Sequence, residues 1–251
     1  MDALLRAIEA DPVFHSTDAA YLVVDRGLVI RAVNPAYLES TGSTRGELIG
    51  RYIFDAFPDN PDVPDADGVR NLNASLESVL RSSARHRMHI QRYDVPTRSA
   101  PEDFVLKYWA PVNSPLSDDR GRPVGVLHHV DDVTAAWSKV LRLDQVAPGQ
   151  EPVTLDPEDQ AGCARVLAHE EMVRSHAATE VAQLREALTS RIVIEQAKGV
   201  VIARDGCDPA TAFAWLRRRA RDTRVKLHDV CAAVVANAHA DEGRADQAGT
   251  E

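Results

Sequence analysis

Ten Lys and Arg residues crowd into residues 184–238, at 185, 191, 198, 204, 217, 218, 219, 221, 224 and 226, against six Asp or Glu. That stretch is net +4 on a chain of 251 residues whose formal charge is −9. Cations gathered on an otherwise anionic protein are chemistry for a polyanion. Arg217 and Arg221 lie four apart and so share a helix face, while Arg218 and Arg219 fan away from them. The plain alternative is a solvated helix face, and the sharpness of the asymmetry argues for a partner. Groupings for catalysis are sparse. No GxxxxGK or GxGxxG phosphate loop occurs. His169-Glu170-Glu171 lacks a second His at metalloprotease spacing, since the next is His176. No Ser or Cys sits in a nucleophile-elbow pattern. An enzyme is not expected. Cys163, Cys207 and Cys231 are odd in number and form no CxxC, so they read as free thiols. With no transmembrane run and no signal-peptide start, the expected location is cytoplasmic, without a membrane partner.

The basic residues need elements to hold them. Leu184, Leu188, Ile192 and Val201 predict one apolar side on a first helix. Gly206 supplies the left-handed turn that ends it. Asp208-Pro209 restarts a helix, with Asp as N-cap and Pro where its missing N–H costs nothing. Ala212, Phe213, Leu216 and Ala220 form the buried stripe of the second helix, and Leu227, Val230, Cys231, Val234 and Ala238 that of a third. Three short amphipathic helices, each weak alone, must pack together.

These residues resemble a family. Leu188-x-x-Arg191-x-x-Ile194-Glu195-Gln196-Ala197-Lys198-Gly199, then Gly206, then Ala212-Phe213-x-x-Leu216-Arg217-x-x-Ala220, then Lys226-Leu227-x-Asp229-Val230-Cys231 is similar to the ANTAR domain. Cys231 stands where a small Ala is expected, and a buried Cys packs much as Ala does. The resemblance implies an RNA-binding module of bacterial transcription antiterminators, acting as a dimer on paired hairpins. It implies RNA contacts by Lys198, Arg217 and Lys226, with Gly199 letting backbone approach closely. Arg191, Arg218 and Arg221 join them as candidates on charge. Lys and Arg suit this task as phosphate anchors and, for Arg, as planes on which splayed bases stack. A helix-turn-helix on duplex DNA is the alternative for the second and third helices.

The N-terminal half reads differently. A helix over 2–11 carries Leu4, Leu5 and Ile8. Val-rich runs at Ala19–Asp25 and Gly27–Val33 flank a tight turn, predicting a hairpin. Asn34-Pro35 opens a helix, Thr44-Arg45-Gly46-Glu47 has capping-box spacing, and Tyr52–Phe57 is a helical turn. A Pro- and Asp-rich loop over 58–68 precedes a helix over 69–84, and strands are expected at 86–95, 103–113 and 122–133. The order is α+β, not alternating βαβ. Leu22-Val23-Val24-Asp25, Val33-Asn34-Pro35-Ala36-Tyr37, Gly46-Glu47-Leu48-Ile49-Gly50-Arg51, Tyr108-Trp109-x-Pro111-Val112-Asn113, Gly125-Val126-Leu127 and Asp132-Val133-Thr134 together resemble the PAS domain over residues 10–134.

A PAS fold implies a sensor without naming what is sensed. A flavin–cysteine adduct is argued against, because no Cys precedes Cys163. Haem would need an axial ligand, for which His86, His89, His128 and His129 are candidates, two per strand on alternate faces. The other options are a small ligand, in a pocket drawn from Tyr93, Tyr108, His86 and His128, and a signalling protein partner. The expected plan is therefore a PAS-like antiparallel sheet with flanking helices over 1–135 and an output helix and linker over 136–156. A connecting helix over 157–183 follows, then the ANTAR-like three-helix bundle over 184–240 and a disordered tail over 241–251. Val166, Val173, Ala177, Val181, Leu184 and Leu188 form an imperfect heptad seam for a coiled-coil homodimer, with Arg174 and Glu180 intruding. The function expected is a signal-responsive RNA-binding antiterminator. The alternatives are a sensory DNA-binding regulator and a PAS protein-interaction module without RNA.

Overall fold

The computed structural model describes residues 3–97, 102–145 and 155–248. Two units emerge, residues 1–174 and 175–251. The first begins with α1 (Ala3–Ala10) and α2 (Pro12–Ser16), the latter capped by the Asp11 side chain accepting from Val13 N. Then follow β1 (Ala20–Asp25), β2 (Ile30–Val33), α3 (Pro35–Thr41), α4 (Arg45–Leu48), α5 (Ile53–Ala56) and α6 (Gly68–Ser82). Short strands β3 (His86–Arg87), β4 (Gln91–Arg92), β5 (Val95–Pro96) and β6 (Phe104–Val105) lead to the long β7 (Tyr108–Ser117) and β8 (Pro123–Asp132). The main sheet runs β2-β1-β8-β7-β3, antiparallel throughout, with β4 also paired to β7; β5 and β6 form a separate hairpin. This is the α+β architecture expected.

Local chemistry explains much of it. Asn34 caps α3 by accepting from Tyr37 N, and also bridges to β1 through Tyr21 N and Ala19 O. Thr44 N donates to Glu47 Oε2 at 2.8 Å, the return half of the capping box. One sheet face packs Leu22, Val24, Ile30 and Val126 against Tyr37, Ile53, Phe57, Leu72, Leu76 and Val79. The other packs Val23 and Ala32 under Leu5 and Phe14 of the first two helices.

The single strand expected over 86–95 is broken into β3, β4 and the start of β5. Arg87 pairs with Val112 and Gln91 with Trp109, so three residues, Met88–Ile90, stand opposite two, Ala110 and Pro111. That is a bulge, and Pro111 has no N–H to continue the ladder. The strand expected over 103–113 likewise divides between β6 and β7, and β7 runs on to Ser117.

Helix α7 (Thr134–Asp144) and the first part of α8 (Pro157–Asp205) complete this unit. The linker expected within 136–156 falls largely on 146–154, outside the described residues. Cys163, Val166, Glu170 and Val173 of α8 recur at helical spacing and are buried. Lys139 of α7 pairs with Asp159, and Cys163 Sγ lies 3.8 Å from Ala136 O.

The second unit is built from the rest of α8, α9 (Pro209–Thr223) and α10 (Leu227–Ala248). Gly206 turns left-handed at φ 63°, and Asp208 accepts from Ala210 N and Thr211 N to start α9. The core is Ala197, Val201, Ala212, Leu216, Val230 and Cys231. Two expectations need correction. Leu184, Leu188 and Ile192 do not share the core face with Val201; all three are exposed. Ile192 and Val201 are nine residues apart, half a turn out of phase at 3.6 residues per turn, whereas Ile194, Ala197 and Val201 keep helical spacing. The tail expected over 241–251 continues α10 through Ala248, since Ala, Glu, Arg and Gln favour helix and no proline interrupts. Residues 249–251 lie outside the described residues.

Candidate nucleic-acid interface and internal cavity

Arg191 and Lys198 sit seven residues apart on α8, two turns along one side. Lys198 is not a bare cation: its Nζ lies 3.0 and 2.8 Å from the two Glu195 carboxylate oxygens. Glu195 is exposed, so a phosphate can compete for that ammonium in water. A Cβ at Gly199 would meet nothing within 4 Å. The chain itself thus places no demand for glycine there. On α9, Arg217 lies over Phe213 at 5.9 Å, while Arg218 and Arg221 are exposed. Lys226 stands at the entry to α10, its carbonyl accepting from Asp229 N and Val230 N. Among the described residues, Arg191, Arg217, Arg218, Arg221 and Lys226 have no carboxylate partner. These side chains line the outside of one three-helix unit, with charges uncompensated by the fold.

Sequence reasoning missed a second aromatic–guanidinium group on the same unit. Arg204, in the last turn of α8, lies 4.8 Å from the Trp215 ring centroid, and Arg219 lies 5.6 Å from it. The Trp215–Arg219 spacing of four was a signal, but Arg204 joins only when two helices pack.

The first unit holds an internal cavity of about 40 Å³, walled by Tyr37, Ile53, Phe57, Leu72, Trp109 and Val130, with Thr41, Gln91, Tyr93 and His128 as its polar lining. Of the four pocket residues expected from sequence, Tyr93 and His128 are there. Tyr108 and His86 are not. His86 is exposed, its Nδ1 2.7 Å from Ser75 Oγ, because it faces α6. Tyr108 pairs with Arg92 along the β4–β7 ladder.

His128 is buried, and its hydrogen bonds fix its tautomer. Asn113 Nδ2 donates to Ser75 Oγ at 2.7 Å, so Asn113 Oδ1 faces His128 Nδ1 and accepts its proton, also at 2.7 Å. Ser75 Oγ also lies 2.7 Å from His86 Nδ1. Hydrogen bonds thus link His128, Asn113, Ser75 and His86 from the cavity to the surface, and the proton on His128 Nδ1 leaves Nε2 as an acceptor. Burial, helped by neighbouring His129, pushes the His128 pKa down to about 3, so the ring is neutral at ordinary pH. Burial likewise drives the Tyr37 phenol upward, keeping it protonated. Gln91 Oε1 is buried with no hydrogen-bond partner. The cavity thus offers acceptors in an apolar wall.

A haem does not fit this site. His128 alone of the four candidate histidines lines the cavity, and the volume is far below the roughly 300–1,000 Å³ of ordinary ligand pockets. His129 lies on the opposite sheet face against Tyr21, and His89 reaches Glu170 of α8. No cysteine lines the cavity.

The strand segment beside the cavity also holds α8. Met88 O accepts from His169 Nε2 at 2.8 Å, Glu170 takes Ile90 N–H, and His89 Nδ1 lies 2.7 Å from Glu170 Oε2. The bulged residues Met88–Ile90 are therefore gripped from outside, one residue before Gln91 enters the cavity.

Comparison with known proteins agrees with this division. The PAS fold family model matches residues 14–138, and the ANTAR domain model matches residues 182–235. No functionally curated protein matches the chain. Among solved structures, similarity extends to a PAS domain from Colwellia psychrerythraea (16% identity, 53% of this chain and 98% of that one, TM-score 0.38). It extends also to a Rhodobacter sphaeroides LOV protein (16% identity, 70% and 98%, TM-score 0.41). A third is an RNA-binding light-oxygen-voltage receptor (18% identity, 58% and 38%, TM-score 0.42). Both matched families are regulatory rather than catalytic, and no described helix is long and apolar enough to cross a membrane. The chain carries a PAS domain followed by an ANTAR domain.

Proposed function

We propose that the protein is a signal-responsive transcription antiterminator whose ANTAR unit binds paired RNA hairpins as a dimer. The observation that carries this reading is the ANTAR match over residues 182–235, together with cations on that unit's exterior that the fold leaves without carboxylate partners. Lys198, Arg217 and Lys226, flanked by Arg191, Arg218 and Arg221, supply the phosphate contacts, and Gly199 permits close approach of the RNA backbone. The bare stripe Val181, Leu184, Leu188 and Ile192 serves the homodimer, because four exposed apolar side chains at heptad-like spacing gain by pairing with a second copy. Two linked modules on two hairpins then gain from effective concentration.

The PAS unit senses a small, neutral, mainly apolar molecule carrying a hydrogen-bond donor, which answers Gln91 Oε1 and His128 Nε2. Its binding displaces Gln91, and the adjoining Met88–Ile90 segment passes the change to His169 and Glu170 on α8. A ligand acts this way only insofar as it prefers one arrangement of that segment. The test is a gel shift of the protein on RNA carrying two short hairpins, against duplex DNA of equal length, across salt. Tight, salt-sensitive binding to RNA alone is expected. Preference for the duplex points to helix-turn-helix binding, and salt-insensitive capture of protein points to an interaction module.

A further inference from the structure

The Trp215 side of the ANTAR unit is not the side on which the Arg217 cations lie. On α9, Phe213 and Arg217 stand on one flank of the buried Ala212–Leu216 stripe, and Trp215 and Arg219 stand on the other. The second flank borders a groove of about 720 Å³ between α8, α9 and α10. The groove is lined by the Arg204–Trp215–Arg219 group, by Val230 and Val234, and by Asn237 and Asp229.

We propose that this groove takes one splayed-out RNA base, stacked on the Trp215–guanidinium planes with its edge turned toward Asn237 and Asp229. The inference rests on the RNA-binding reading above and adds a place for a base, where that reading places only phosphate contacts. A guanidinium lying over an indole presents a flat, cationic surface, and base faces stack on both kinds of plane. Asp229 selects against a phosphate as occupant. An exposed carboxylate repels an anion but accepts a hydrogen bond from the exocyclic amine of a base. Asn237 is exposed and carries both donors and an acceptor, enough to read a base edge. Arg204 is held in place by Asp205, with Nε 2.7 Å from its carboxylate, so one of the two planes is pre-positioned. Sequence-specific RNA recognition depends on such unstacked bases, because the A-form helix hides its own.

The experiment compares wild type, Trp215→Leu and Trp215→Phe in the full chain, titrated with a two-hairpin RNA at several salt concentrations. Tryptophan emission, sedimentation and thermal melting are recorded in parallel. Leu keeps the apolar packing without a π face, and Phe restores a ring. Expected are a tenfold or greater loss of affinity for Trp215→Leu with an unchanged salt slope, substantial recovery in Trp215→Phe, and RNA-induced quenching in wild type that Trp215→Phe lacks. If wild type binds and Trp215→Leu binds equally well, the base site is wrong and RNA binding stands. If Trp215→Leu is weaker only because it no longer dimerises, the groove is a contact between copies and the inference is overturned. If wild type binds no RNA at any salt, the functional reading itself fails.

Discussion

The two units put their chemistry in opposite places. In the PAS unit it is internal: hydrogen bonds link His128, Asn113, Ser75 and His86, and Gln91 Oε1 is buried in the cavity wall without a partner. In the ANTAR unit it is external: the core is small and apolar, and the charges stand outside it. Helix α8 shows the same contrast within one element. Up to Val173 its inward residues are covered by its own unit, whereas Val181, Leu184, Leu188 and Ile192 are bare. A buried polar network must be complete to be tolerated, so it holds one arrangement until something enters it. An exposed cationic face costs little to leave unfilled, and it is specified by what binds rather than by the fold.

The sharpest way to break the comparison is to remove charge from the outer face alone. Lys198→Ala/Arg217→Ala should lower RNA affinity about 100-fold and reduce the salt slope by about two, while the thermal melt stays near wild type. Equal binding by a folded double variant would end the case for this face. Next in size is the bare stripe. Leu184→Asp/Leu188→Asp should yield monomers in sedimentation and weaken two-hairpin RNA by roughly 100-fold, leaving a single hairpin nearly unaffected. Loss of single-hairpin binding as well would mean that the stripe belongs to the fold of the unit.

What was legible in the sequence follows the same line between local and assembled structure. Asn34-Pro35, Thr44–Glu47, Gly206 and Asp208-Pro209 act within four residues of themselves, and each marks an element boundary as expected. Helix α2 was missed because five residues give no periodicity to read. The break at Met88–Ile90 depends on a proline in another strand and on α8, neither visible from residues 86–95 alone. The imperfect heptad seam predicted from Val166 to Leu188 divides in the structure, with Val166 and Val173 buried and Leu184 and Leu188 exposed. The cavity draws on helices and strands from Tyr37 to Val130, so alternation along one strand allows one of His128 and His129 to point inward but does not settle which, nor that His86 turns to α6. Trp215 gains its second guanidinium only from α8.

The inner network makes a smaller and pH-dependent prediction. The His128 pKa is about 3 in the folded chain and near 6.5 when unfolded, so the unfolded chain takes up a proton first as pH falls. Stability is at its full value above about pH 6.5 and declines toward pH 3, by up to about 1.4 kcal/mol per pH unit from this one group. His128→Gln, which can still donate to Asn113, should melt with a flatter pH dependence between 6.5 and 4. Parallel curves for the two proteins would show that His128 is not the buried neutral group described.

The smallest effect separates fold from function at one position. Gly199 sits inside α8 with a helical backbone and open space where a Cβ would go. For the isolated protein, alanine is therefore the better residue: it removes backbone freedom from the unfolded chain and should raise stability by roughly 1 kcal/mol. If RNA backbone packs against this point, the same methyl group must push it away, and affinity should fall several-fold while the melting temperature rises. Opposite signs in the two measurements cannot arise from damage to the helix. A Gly199→Ala protein that is both more stable and equally tight would instead move the RNA contact elsewhere on the face, leaving Lys198 and Arg217 to define it.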